Sequence, residues 1–187
     1  MRPGFLGKGT SMRKVMVLAA CGLALSGCAA GPQKSDLILV PAETASMAVP
    51  ALGRTNPRYR GAIAVQSVSG GKETNPIIGG PQVDDASFKA ALEGSLSANG
   101  YLATGAPKCA LAAEIQDIDN PIAGVDFNVK STITYRLSGC GPERSIPVTA
   151  QASAGMGDAI IGATRLKLAK ERSVQQNIRQ FLQEIAR

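Results

Sequence analysis

Hydrophobic and polar side chains alternate over residues 125–138. Phe127, Val129, Ile133 and Tyr135 fall on one face, and Asp126, Asn128, Lys130, Thr132, Thr134 and Arg136 on the other. A period of two is that of a strand with one dry and one wet face, as in an antiparallel sheet covered on one side. Residues 109–118 read the same way and connect to 125–138 through a turn at 120–124. Ile146, Val148, Ala150, Ala152 and Ala154 predict a last strand, whose small residues leave room for a helix to come close. Residues 62–68 are apolar on both faces, which reads as a central strand.

The period changes twice. Phe88, Ala91, Leu92, Ser95 and Leu96 recur at helical spacing, after a cap at Asp84 or Asp85 and before the stop signal Asn99-Gly100. Over about 159–186, Val174, Ile178, Phe181, Leu182 and Ile185 form a second stripe. Arg165, Lys167, Lys170, Arg172 and Arg179 read as the wet side of that helix. A basic amphipathic helix can lie on a membrane, but a one-sided sheet needs a second helix, so core packing is the expectation. The order strand, helix, three strands, helix predicts an α+β two-layer sandwich over residues 61–187. Its two helices pack on one face of an antiparallel or mixed sheet.

The N-terminus follows neither period. Arg13 and Lys14 precede an apolar run from Val15 to Leu25, too short to span a bilayer and suited to a signal-peptide core. It ends in Leu25-Ser26-Gly27-Cys28, which resembles the lipobox of bacterial lipoproteins. The resemblance implies cleavage before Cys28, diacylation of its thiol and acylation of the new amine. Two or three acyl chains hold a protein stably on a membrane, where one is marginal. Ala29 rather than Asp follows the cysteine, which by the same resemblance implies the outer membrane, with the domain facing the periplasm. Residues 1–27 are thus expected to be a signal peptide, with Met12 a second candidate start. Residues 28–60, rich in Ala, Pro, Gly, Ser and Thr, are expected to be a flexible tether. Within it Leu37-Ile38-Leu39-Val40 could add a short edge strand, and Arg54, Arg58 and Arg60 form a basic cluster that could touch lipid headgroups but reads first as a solvated loop.

Processing leaves Cys109 and Cys140 in an oxidising compartment, where a disulfide is the default. The hairpin brings them to its open end, yet Cys109 shares parity with the dry face and Cys140 does not. A bulge, or the stretch Gly139-Cys140-Gly141, has to absorb one residue.

Charge changes the picture little. The chain of 187 residues carries +6, but Arg2, Lys8, Arg13 and Lys14 lie in the signal segment. The remaining 16 basic residues face 14 acidic ones, so the domain carries +2 and nucleic acid is not an expected partner. There is no His, which removes His-based triads and most transition-metal sites. Neither metal nor cofactor is expected. Ser11-Met12-Arg13-Lys14 matches S-x-x-K without its companion motifs, and Ser69-Gly70-Gly71-Lys72-Glu73-Thr74 fails the phosphate-loop pattern. Glu114, Asp117, Asp119 and Asp126 gather near the hairpin turn, the nearest approach to an acid–base or calcium set. They read as surface acids, and no enzymatic activity is expected.

With its lipobox this order of elements resembles the small envelope lipoproteins of the YajG type. It is similar, more loosely, to the lipopolysaccharide-assembly lipoprotein LptE and to auxiliary lipoproteins of lipid-transport ABC systems. The likeness rests on residues 61–65, 88–96, 133–137 and 177–182. It implies a non-enzymatic binding or scaffold module, membrane-bound through acyl chains on Cys28 and partnered by an envelope protein. The alternative it implies is a lipid-handling accessory with a groove between helices and sheet.

Overall fold

The computed structural model describes residues 43–72, 82–119, 121 and 123–187. The signal segment, Cys28 and Leu37–Val40 lie outside them. The described chain forms α1 (Thr44–Met47), a 3-10 turn at Pro57–Tyr59, β1 (Ile63–Ser69), α2 (Asp85–Ala98), β2 (Cys109–Ile118), β3 (Phe127–Ser138), β4 (Arg144–Ala154) and α3 (Gly162–Ile185). The four strands lie in the order β1-β2-β3-β4. β1 runs parallel to β2, and the other two pairings are antiparallel. The sheet is therefore mixed. The parallel pair needs a crossover, and α2 supplies it. α2 packs on β1 while α3 packs on β3 and β4, so helices cover one face of the sheet. This is the expected α+β sandwich.

Each helix forms for local reasons. Asp84 Oδ1 accepts the Ser87 N–H at 2.7 Å and caps α2. Gly100, at φ +71°, closes the other end. Phe88, Ala91, Leu92, Ser95 and Leu96 are all buried, as their spacing predicts. Each large apolar side chain among them contributes about 1.5–3 kcal/mol by leaving water. In α3, Phe181 stacks on Tyr135 of β3 with ring centroids 4.1 Å apart.

β1 is an edge strand, not the central one its composition suggests. The chain after α2 lies along the outer edge of its first residues. Ile63 donates to Tyr101 O at 3.0 Å, and Ala103 donates back to Ile63 O at 2.8 Å. Beyond Val65 the strand turns polar, and Gln66 and Ser67 are exposed.

The tether expectation is corrected over its described part. Residues 43–60 pack on the domain, with Met47, Val49 and Tyr59 buried. α1 sits against both α2 and α3. Ser95 Oγ accepts Val49 N–H at 2.8 Å, Asn99 Oδ1 accepts Leu52 N–H at 2.8 Å, and Gln175 Nε2 donates to Ala48 O at 2.8 Å. The cause is that a few apolar side chains and buried polar partners outweigh a loop-like composition.

That strap also corrects the wet side of α3. Arg172 is exposed and Arg179 half-buried, but Arg165, Lys167 and Lys170 are buried together with Glu171. Lys167 Nζ lies 2.8 Å from Glu43 Oε1 and 3.7 Å from Glu171 Oε1. Glu43 N–H donates to Glu171 Oε1 at 2.6 Å. The strap thus covers and pairs Lys167 and Glu171, while Arg165 is held by the carbonyls of Ala159 and Ile160 just before the helix.

Candidate functional site

Cys109 and Cys140 are joined by a disulfide, with Cα atoms 5.1 Å apart. The parity mismatch is absorbed at the glycines. Up to Ala110 and Ser138 the register stays regular, and among the described residues the register of this ladder shifts only at its far end, between Ile115 and Asp117. Gly139 takes φ +86° and Gly141 φ +124°, values that L side chains rarely adopt. A Cβ at Gly139 would come within 2.7 Å of Lys108 O. Arg58 Nε donates to Cys140 O at 3.1 Å, so the loop carrying the disulfide is also tied to the 3-10 turn.

The acids near the hairpin turn do not form one site. Glu114 Oε2 pairs with Arg136 at 3.1 Å on the wet face. Asp119 N–H donates to Lys130 O at 2.9 Å and continues the ladder. Asp126 stands exposed beside Gly155. Asp158, which the sequence reading did not single out, is salt-bridged to Arg172 and accepts Gly155 N–H at 2.9 Å. The Arg172 guanidinium draws the Asp158 carboxyl down to about 2. Among the described residues no group of three or more acids and cysteines could hold a metal ion.

Two constellations come into view only in three dimensions. The first is a buried polar seam between α3 and the sheet. Tyr135 Oη donates to Asn177 Oδ1 at 2.9 Å, and Asn177 Nδ2 donates to Ser131 O at 3.1 Å and Val148 O at 3.0 Å. Ser173 Oγ reaches Ser131 Oγ at 2.9 Å and Ala150 O at 3.3 Å. The small side chain of Ala150 permits that approach. Burial pushes the Tyr135 phenol well above its ordinary value. The signal for the seam was present in the sequence: Ser131 interrupts the dry face of β3, and Ser173 and Asn177 interrupt the α3 stripe.

The second is a cleft of about 800 Å³ where residues 143–149 of the β3–β4 turn and β4 meet the C-terminal turns of α3. Its helix wall carries Gln180, Gln183, Glu184 and Arg187. Arg144 lies 3.7 Å from Glu184, which also pairs with Arg187 at 2.9 Å. Among the described residues no strand pairs with the outer edge of β4. Such an edge can take an extended peptide by adding a strand, with nearby amides and charges binding its side chains. Pro147 removes one donor from that edge, so any added strand is interrupted there.

Fold and cleft together define a small α+β domain with one strand edge beside a polar groove. No protein-family model matches the chain, and no curated protein matches its sequence. Among solved structures it is similar to a candidate lipoprotein of Caulobacter crescentus, with 13% identity and a TM-score of 0.42 over 53% of this chain and 77% of that one. It is similar to the hypothetical protein CT253 of Chlamydia trachomatis, at 12% identity and TM-score 0.46 over 68% and 96% of the two chains. It is also similar to XCC0632 of Xanthomonas campestris, described as family DUF330, at 12% identity and TM-score 0.45 over 77% and 92%. Among the described residues no helix is long and apolar enough to cross a membrane.

Proposed function

We propose that this chain is a lipid-anchored module of a bacterial cell envelope that binds an envelope protein and performs no catalysis. The observation that carries the reading is Leu25-Ser26-Gly27-Cys28 after a charged and apolar leader. The Cys109–Cys140 disulfide supports it, because such bonds persist in oxidising compartments. The cleft beside β4, with its unpaired strand edge, offers a surface for such a partner. The anchor is tested by labelled palmitate in cells and by mass spectrometry of the N-terminal peptide. Wild type is expected to carry acyl chains on Cys28. Processing and membrane retention of Cys28→Ser would defeat the anchor. Partner binding is tested by gentle detergent extraction and identification of stoichiometric proteins. A hydrolase activity abolished by a single Ser or Asp substitution would overturn the non-enzymatic part.

The lipid-handling alternative receives no support from the α3–β4 interface. Ser173 and Asn177 hydrogen-bond directly to Ala150 O and Val148 O, which leaves no acyl-sized space at those positions.

A further inference from the structure

The exposed large apolar side chains of the described residues are Val125, Met156, Ile160 and Ile161, and all four stand at one end of the domain. Val125 precedes β3, and Met156, Ile160 and Ile161 connect β4 to α3. Phe127 and Ala154 pair at the adjoining ends of those strands. Scattered exposed hydrophobic residues are ordinary, whereas a cluster marks a contact surface. The loop is also held in shape. The Arg165 guanidinium donates to Ala159 O at 3.0 Å and Ile160 O at 2.6 Å, and lies 5.8 Å from the centre of the Phe127 ring. Asp158, bonded to Arg172 and to Gly155 N–H, braces its other side. Ile160 is 86% exposed on this braced backbone.

The path of the chain indicates what the cluster faces. Glu43 sits beside Lys167 and Glu171, and Ala48 sits beside Gln175, so residues 43–48 run along α3 from its N-terminal toward its C-terminal half. Glu43, where the described chain begins, thus joins the domain in the N-terminal half of α3, the half that follows the loop carrying Ile160 and Ile161. Residues 29–42 reach at most about 50 Å when fully extended. An anchor on Cys28 is therefore joined to the domain near this end, and its reach lets this end touch the bilayer.

We infer that Val125, Met156, Ile160 and Ile161 form a membrane-contacting tip that inserts into the lipid interface beside the acyl anchor. The inference rests on the lipid-anchor reading. The occupant is a lipid surface, and the acids Asp126 and Asp158 at this end argue for apolar insertion rather than attraction to anionic headgroups. Contact at the tip would leave the β4 cleft, at the opposite end of α3, facing away from the membrane.

The chain contains no tryptophan, so an introduced one reports alone. Full chains bearing Ile160→Trp, or Ser97→Trp at the far end of α2, would be purified from membranes. They would be reconstituted into phosphatidylcholine vesicles with or without brominated acyl chains. Flotation reads the anchor, and quenching reads the tip. The expected result is that both chains float, with quenching several-fold stronger for Ile160→Trp than for Ser97→Trp. Met156→Trp, at another exposed position, should repeat the pattern. Flotation with equal quenching at both ends would overturn the tip and leave the anchor standing. A blue-shifted Ile160→Trp emission without bromine quenching would mean that a second copy covers the tip, which also overturns it. A chain that does not float fails the anchor reading and takes this inference with it.

Discussion

Tyr135 Oη donates to Asn177 Oδ1 at 2.9 Å inside the core, where both residues are wholly buried. The amide of Asn177 is thereby fixed in orientation, and its Nδ2 joins β3 and β4 through Ser131 O and Val148 O. One side chain of α3 thus sets the helix against two strands.

Replacement of that side chain should be costly. Asn177→Leu leaves the Tyr135 phenol without its acceptor and two strand carbonyls without a donor. A loss of about 2–4 kcal/mol in urea unfolding is expected, since orphaned buried polar groups lose their full desolvation penalty. Adding Tyr135→Phe to Asn177→Leu should cost less than it does in the wild type. Additive losses in this double-mutant cycle would show that the two groups are not coupled.

The disulfide closes a separation of 31 residues. The chain-entropy relation assigns such a loop about 3.5 kcal/mol. Dithiothreitol should lower the urea midpoint of the wild type accordingly. The Cys109→Ser/Cys140→Ser chain should begin at that lower midpoint and ignore the reductant.

Gly139 tests how the one-residue mismatch is absorbed. Gly139→Ala places a Cβ against Lys108 O in a left-handed conformation. Destabilisation of about 1–3 kcal/mol is expected, together with slower reoxidation of the reduced chain. Gly53, also at positive φ but with nothing near its Cβ position, should show a smaller loss on Gly53→Ala.

Lys170 should make stability depend on alkaline pH. Burial lowers its ammonium from 10.5 to about 8. Between those values the unfolded chain holds a proton that the folded chain has released, so folding stability rises with pH from about 8 to 10.5. Below pH 8 both states are charged and that gain is absent. Tyr135 acts oppositely, but only above pH 10, where the unfolded phenol ionises first. The urea midpoint should therefore climb between pH 8 and 9.5, and Lys170→Met should flatten the climb. A wild-type midpoint that falls over this interval would contradict the assignment.

Periodicity alone determined the elements of this protein. The alternation of β3, the stripe of α2 and the apolar stripe of α3 each concern a chain and its nearest partner, and the structure carries them with ends shifted by only a few residues. The disulfide partners were legible because a hairpin brings its ends together. The lipobox was legible because it is a linear signal, although Cys28 lies outside the described residues. Tertiary structure decided the rest. The edge position of β1 depends on which strand lies next to it, and periodicity does not encode sheet order. The burial of Lys167 and Glu171 depends on residues 43–48, which come from far along the chain to cover one side of α3. A charged residue reads as wet until its cover is known. Ser131, Ser173 and Asn177 read as minor breaks in apolar patterns, and only the meeting of α3 with β3 and β4 made them one network.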